Sequence, residues 1–408
     1  KKYNILNMNF LLIKSSTKNP EKLVSKVFGN YKKIILNEGV DLYITKQNVE
    51  ECFFENEDLS GYIMGYIRSY VIDSIKTNDH NLFCGDEISN ENWPLNDSFT
   101  GSFSVVTYNK KTKLITIAND AIGFYPIYYS MSADEIIISS SLILAGAITE
   151  ASPDNIGITE KLISGKFFTF GKRTTVKNID RILPGEAIYM NHSNGLSINK
   201  KYDNTLYKSQ IEFSLQKNAN ELSKLITKEI KICLLNKDAY LAVSGGLDSR
   251  LILGHIPSKV NINCVTYGDE EFYETLIAKK CAEVVNAKFS SHPMYKYQFP
   301  EKELFVDYII KTEAVGVQSW ISIIEGINND KDCTPFLTGD MADSLTGKKY
   351  DLIKGRKSKI NIFLKYTLFG RDIPFKLNSK KGFESWKKDK IKYYVSKFEE
   401  FNYDHGQD

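Results

Sequence analysis

Ser244-Gly245-Gly246-Leu247-Asp248-Ser249 sets two glycines, two hydroxyls and a carboxylate side by side between two apolar runs, Ala239–Val243 and Leu251–Leu253. Adjacent glycines let a backbone turn tightly and bring its N–H groups to a ligand with no side chain in the way. If a helix follows, its opening turn adds unpaired N–H groups and the positive end of a dipole. With the hydroxyls of Ser244 and Ser249 as further donors, the stretch reads as a nest for an anion, most simply a phosphate. Asp248 would repel that anion unless Mg²⁺ lay between carboxylate and phosphate. The plain alternative is a glycine turn with a Ser/Asp helix cap, which needs fewer of these residues at once. No G-x-x-x-x-G-K-[ST] loop occurs in the chain.

A strand must deliver this turn and a helix must leave it. Ala239–Val243 reads as the strand, with a helix from about Asp248. The context repeats. "ANELSKLITKEIKICLL" carries apolar residues at helical spacing, "NINCVTYGD" is a strand ending in a polar turn, "EFYETLIAKKCAEVVNA" a helix, and "TPFLTGD" a third strand with a polar turn. Strands alternating with helices predict a parallel sheet, and ligands bind such sheets beyond the carboxyl ends of the strands. The first half differs. "GSFSVVTYN", "KLITIAND", "PIYYSM", "EIIISSS" and "EAIYMN" follow one another across Gly, Asn, Asp and Pro, which predicts an antiparallel sheet layer. "VEECFFENEDLSGYIMGYIRSYVIDSI" reads as less regular, with room for a helix. The expected organisation is a first domain over 1–205, a linker over 206–215 and a second domain over 216–408.

The hexapeptide resembles the pyrophosphate-binding loop of the N-type ATP pyrophosphatases, which include asparagine, GMP and NAD synthetases and tRNA-modifying enzymes. Its surroundings narrow the resemblance. "VTYGDEEFYETLIAKKCAEVVNAKFSSH" (Val265 to His292) looks like the asparagine synthetase segment with an acid before an amphipathic helix and a terminal His. "LTGDMADSLTG" (Leu337 to Gly347) resembles that family's second loop, Ser-Gly-Glu-Gly-x-Asp-Glu. "FTGSFSVVTYNKKTKLITIANDAIGFYPIYYSMSADEIIISSSLILAG" and "RILPGEAIYM" are similar to its glutaminase-like domain. The resemblance spans roughly Phe99 to Gly347. It implies an α/β and α+β chain, with an antiparallel N-terminal domain of the Ntn-hydrolase type and a parallel-sheet domain of the adenine-nucleotide α-hydrolase type. It further implies ATP and Mg²⁺ as cofactors. Ala242 and Tyr267 would hold the adenine through their backbone, Ser244, Gly245, Gly246, Ser249 and Gly339 would cradle the phosphates, and Asp248 and Asp343 would ligate the metal. Asp340, in place of the family's Glu, would orient or deprotonate an amine.

The chain departs from that family where the family makes ammonia. A glutaminase of this type uses an N-terminal cysteine. Here Met8-Asn9 stands where Met-Cys would, and Cys52 is the nearest cysteine. An amide cannot replace a thiolate nucleophile. The Asn-Gly-Glu glutamine-binding loop is not recognisable, and Asn119 stands where the family carries Arg. Ser344 replaces an acid of the second loop, and the family's later Lys-bearing segment has no match before Asp408, so either the sequence stops short of it or that end of the site differs. β-Lactam synthetases and lasso-peptide macrolactam synthetases share the loss of glutaminase chemistry. The expected function is therefore ATP-dependent, AMP-forming ligation of a small-molecule or peptide carboxylate to an amine. Free ammonia as the acceptor, and a non-catalytic nucleotide-binding protein, are the alternatives.

Composition agrees and excludes other classes. The chain has 408 residues, 42% hydrophobic and 25% charged, a mix that suits two or three folded domains. A formal net charge of +3 gives no general case for nucleic acid, which weighs against a tRNA-modifying relative. Basic stretches such as "KSKINIFLKY" read as solvated helix faces. The cysteines at 52, 84, 233, 264, 281 and 333 form no C-x-x-C and, with scattered histidines, no zinc pattern; they suggest free thiols in a reducing compartment. No apolar run reaches about 18 residues, and the N-terminus lacks a signal-peptide pattern, so neither membrane association nor export is expected and the location reads as cytoplasmic. A homodimer is compatible with these features.

Overall fold

The computed structural model describes residues 9–15, 19–37, 39–45, 53–67, 101–132, 135–163, 169–191, 195–200, 214–234, 238–293, 302–312 and 336–339. The chain forms two compact units, 1–340 and 341–408, and every described residue belongs to the first. The expected linker 206–215 lies almost wholly outside the described residues.

Two antiparallel sheets build the N-terminal part, as expected for a domain of the Ntn-hydrolase type. The first contains β1 (Phe10–Lys14), β2 (Tyr31–Asn37), β3 (Val40–Thr45), β8 (Tyr128–Met131), β9 (Ile136–Ser139) and β10 (Asp180–Arg181), in the order β10-β8-β9-β1-β3-β2. The second contains β4 (Phe53–Glu55), β5 (Leu59–Ile67), β6 (Gly101–Asn109), β7 (Ile115–Asn119), β11 (Glu186–Asn191) and β12 (Gly195–Lys200), in the order β12-β11-β7-β6-β5-β4. Strand side chains alternate between faces, and β1 uses both. Phe10 and Leu12 enter the core between the sheets with Leu42, Ile44, Tyr62, Val106, Ile117 and Ile188. Leu11 and Ile13 point the other way, onto α1 (Glu21–Phe28) and α2 (Leu142–Thr149), where Val24, Phe28, Leu144 and Ile148 meet them. Being apolar on both faces, β1 is buried from Phe10 to Ile13, and each such side chain contributes roughly 1.5–3 kcal/mol. Ser141 starts α2 by accepting the Leu144 N–H at 3.2 Å.

Within the segment read as less regular with room for a helix, residues 53–67 form β4 and β5 instead; residues 49–52 and 68–75 lie outside the described residues. The physical reason is pairing. β5 runs beside β6 from Leu59↔Asn109 to Ile67↔Gly101, which turns a mixed local pattern into a strand. Gly61 permits it, because a Cβ there would run into the Phe54 ring and the Val106 carbonyl.

The second part is the predicted parallel sheet. β13 (Ala239–Ala242), β14 (Ile262–Tyr267), β15 (Lys288–His292) and β16 (Phe336–Leu337) lie in the order β15-β14-β13-β16. α4 (Leu215–Leu234), α5 (Leu247–His255), α6 (Tyr273–Val284) and α7 (Lys302–Thr312) accompany it. Ala239, Leu241 and Val243 pack with Leu253, Ile262, Cys264, Ala278 and Ala282. β15 was not anticipated: "KFSSH" is too polar to announce a strand, and only its register with β14, Asn263↔Lys288 through Tyr267↔His292, defines it. From β13 the chain steps to β14 and β15 on one side, then returns to β16 on the other. The crevice beyond β13 is thus the topological switch point, where open α/β sheets bind ligands. Among the described residues no helix is long and apolar enough to cross a membrane.

Candidate functional site

The turn after β13 sits at that switch point, and its own hydrogen bonds fix its shape. Ser249 is buried, and its hydroxyl faces inward: it accepts the Ser244 N–H at 3.0 Å and donates to the Ser244 carbonyl at 3.2 Å. The two serine hydroxyls lie 3.1 Å apart. Ser244 Oγ also accepts the Gly246 N–H at 3.1 Å. Both hydroxyls, expected as ligand donors, thus brace the loop. Gly246 caps α5 with extended backbone (φ −74°, ψ 164°) and no side-chain cap bond. The N–H groups of Leu247 and Asp248 open the helix, where no carbonyl stands one turn earlier to receive them. Asp248 is half-buried, and its carboxylate has no hydrogen-bond or ion-pair partner among the described residues.

Neither glycine of the pair has a positive φ. A Cβ at Gly245 would meet only the Ile277 side chain, at an ordinary 3.6 Å. The protein's own packing therefore does not require glycine at 245. What the residue provides is open backbone.

The other strand ends converge on the same edge of the sheet. Ala242 pairs with Val265, and Val243 donates to the Val265 carbonyl at 2.9 Å. Tyr267 closes β14 and is 40% exposed. Gly268 next to it has φ +141° and donates to the His292 carbonyl at 2.8 Å. Beyond β16, Gly339 lies directly against the first loop: a Cβ there would stand 2.8 Å from the Ser249 nitrogen and 3.2 Å from Asp248 Cβ. The second loop can touch the first only because residue 339 has no side chain. The structure thus brings Ser244, Gly245, Gly246, Asp248, Ser249 and Gly339 together, with Ala242 and Tyr267 at the ends of β13 and β14. Asp340 and Asp343 lie outside the described residues. Sequence reasoning passed over Arg250, whose Nε donates to the Gly246 carbonyl at 3.1 Å. Its position directly after Ser249 was the available signal.

The start of β1, where the sequence reading expected Asn9 in place of a nucleophilic cysteine, is equally well defined. Asn9 stands at the start of β1, its N–H donating to Thr45 Oγ1 at 3.1 Å and its Oδ1 accepting from Ser140 Oγ at 2.8 Å. The Asn9 carbonyl receives the Thr45 N–H at 3.0 Å. Thr45 Oγ1 and the Tyr62 hydroxyl, both buried, lie 3.2 Å apart. Asn119 is buried too, its Oδ1 accepting the Gly185 N–H at 3.1 Å. Asp120 organises the same turn, its carboxylate accepting from the N–H groups of Phe103, Ile122 and Phe124 at 3.0, 2.8 and 3.2 Å. Each of these side chains is engaged inside the fold. Cys264 and Cys281 are free thiols. Burial pushes the Cys264 thiol up to about 12, which makes it unreactive. Cys52 lies outside the described residues.

Residues 94–203 match the model of a glutamine amidotransferase domain. No curated protein matches the chain. Among solved structures, the chain is similar to one described as the allosteric regulatory enzyme of purine biosynthesis, with 12% identity and a TM-score of 0.32 over 84% of this chain and 92% of that one. It is also similar to glutamine phosphoribosylpyrophosphate amidotransferase from B. subtilis in complex with ADP and GMP, with 12% identity and a TM-score of 0.31 over 84% and 93% of the two chains.

Proposed function

We propose that this protein is an asparagine synthetase-like, ATP-dependent, AMP-forming carbon–nitrogen ligase that adenylates a substrate carboxylate and passes it to an amine, without glutaminase activity. The carrying observation is Gly245: a glycine with an ordinary φ and free space beside it, in a turn at the switch point of a parallel sheet. Open backbone there suits a ligand that approaches main-chain N–H groups, as a pyrophosphate does.

In the first step a carboxylate oxygen attacks the α-phosphorus of ATP, the bond to the β-phosphate oxygen breaks, and acyl-adenylate and pyrophosphate form. Negative charge gathers on the departing pyrophosphate. The N–H groups of Gly245, Leu247 and Asp248 and the N-terminus of α5 stabilise it, while Ser244 and Ser249 hold the loop in the receiving shape. Losing one such donor costs roughly 3 kcal/mol of barrier, about a hundredfold in rate. Asp248 fits a hard cation, because its carboxylate stands at the loop without a described partner. Together with Asp343 it would hold Mg²⁺, which would screen phosphate charge when bound. In the second step an amine attacks the activated carbonyl and AMP leaves. Asp340 is the residue proposed to orient or deprotonate that amine, and the closeness of the two reactants supplies much of the rate.

The N-terminal part supports an external amine or free ammonia rather than ammonia drawn from glutamine. On the resemblance, Asn9 and Asn119 stand where the family carries its nucleophile and its Arg, and both are engaged internally. Exchange of labelled pyrophosphate into ATP, run over a panel of amino acids, peptides and sugar acids, tests the ligase reading. Exchange with one acid, abolished in Asp248→Ala, is the expected result. Nucleotide binding with no exchange from any acid would make the protein a non-catalytic binder, and absence of both would remove the reading altogether.

A further inference from the structure

We propose that the amidotransferase-type half seats a helix of the parallel-sheet half: α7 is docked on α1, and the local stability of each helix depends on the other. The inference concerns the joint between the halves and is independent of the reaction proposed above.

The helices of the parallel sheet differ in what they cover. α5 packs on β13, and α6 on β14 and β15. The apolar cluster of that sheet takes Ile230 and Leu234 from α4, Leu253 from α5, and Ala278 and Ala282 from α6. Among the described residues it takes nothing from α7. α7 instead meets α1, from the other half of the sequence. Its Ile310 packs against the cluster that joins β1, α1 and α2, as Leu23 of α1 does.

The sequence explains both sides of this joint. "EKLVSKVF" places Val24, Val27 and Phe28 on one helix face at i, i+3 and i+4, and all three are buried. "KELFVDYIIKT" is apolar at Phe305, Val306, Tyr308, Ile309 and Ile310, which spans more than one face. A helix apolar over so wide an arc needs cover from more than one layer. Tyr308 is only 4% exposed. If α7 left α1, Ile310 and the cluster beneath it would return apolar surface to water, which opposes separation from both sides. In chain order α7 stands between β15 and β16, on the crossover that carries the chain past β13 to the other edge of the sheet. The contact with α1 ties that crossover to the N-terminal part and bridges the linker expected over 206–215. Domains joined only by a linker move independently, and an apolar joint removes that freedom. The amidotransferase-type half thereby has a task that needs no chemistry.

The test is backbone hydrogen–deuterium exchange of the full chain, read by mass spectrometry on α1 and α7. Two mild variants approach the joint from its two sides. Coupling is reciprocal, so α7 should exchange about fivefold faster or more in Phe28→Leu, and α1 likewise in Ile310→Ala. Ile188→Val, in the core between the two antiparallel sheets, should leave α7 at the wild-type rate. Wild-type exchange of α7 in Phe28→Leu, or of α1 in Ile310→Ala, would overturn the joint. Equal acceleration of α7 in Ile188→Val would overturn it too, because the response would then report global unfolding and not this contact.

Discussion

The turn after β13 and the start of β1 are built from the same materials, small hydroxyls and short polar side chains at the end of a buried strand, yet they differ in what is left over. At β1, Asn9, Ser140, Thr45 and Tyr62 bond to one another, and Asn119 is held by Gly185. At β13, the serines close the loop, but the carboxylate of Asp248 and the outer edge of Arg250 have no described partner, and Gly245 keeps its backbone uncovered without any need from its neighbours. Buried polar groups are normally satisfied within the fold. A closed network therefore reads as architecture and an open one as a place for a ligand. By this measure the start of β1 is closed by its own hydrogen bonds and the turn after β13 is left open.

The sharpest way to break that comparison is Gly245→Ala. A methyl group there meets Ile277 at only 3.6 Å, so folding should be unaffected. If the open backbone serves a ligand, pyrophosphate exchange should fall by about a hundredfold with an unchanged melting temperature. Full exchange activity in this variant would remove the contrast between the two regions.

Next in size is Gly339→Ala. Its Cβ would stand 2.8 Å from the Ser249 nitrogen, so the turns after β13 and β16 must separate. Exchange should fall at least tenfold, and unlike Gly245→Ala this variant should also melt at lower temperature, since backbone rather than a flexible side chain has to move. A melting curve identical to wild type would mean that the two turns give way freely and do not form one site.

These two glycines also mark how far the sequence could be read. The glycine pair, the Asp and the flanking apolar runs made the strand–turn–helix legible, because each local preference pointed the same way. The alternation of strands and helices gave the parallel sheet for the same reason. β5 was less legible because its strand character comes from pairing with β6 along its length, a non-local fact. β15 was hidden by its own polarity. The inward turn of the Ser249 hydroxyl could not be read either. Sequence supplies a hydroxyl, and only the fold decides whether it faces a ligand or the Ser244 carbonyl. Arg250 escaped because one arginine after a motif looks like a solvated helix residue until its Nε is found on Gly246.

On the closed side, Asn9→Ala should leave exchange unchanged and lower stability by about 1 kcal/mol, because Ser140 Oγ loses its acceptor at 2.8 Å; for a large domain that is roughly 2–4 °C in melting temperature. Asn9→Cys should release no glutamate from glutamine, because the Asn119 amide is buried and already engaged by Gly185, and so offers a substrate carboxylate no cation. Glutamate release above background would mean that this half retains a working pocket.

The smallest effect concerns titration within a closed network. Glu160 of α3 (Asn155–Ile163) is 2% exposed and accepts the Phe170 N–H at 3.1 Å, with Asp154, Arg173 and Arg181 as the charged groups around it. Burial raises its carboxyl above the ordinary value of 4.5, more than the Phe170 bond and the arginines lower it. The folded state thus holds this proton more tightly than the unfolded state. The resulting stability is fully present below about pH 4.5 and is lost as pH rises through the folded value. Glu160→Gln keeps a hydrogen-bond acceptor for Phe170 and removes the titration. Its melting temperature should therefore fall less than that of the wild type between about pH 4.5 and about pH 7, by a few degrees at most. Parallel pH curves would mean that Arg173 and Arg181 already neutralise the carboxylate. That outcome would make this network as fully compensated in charge as the one around Asn9 is in hydrogen bonds.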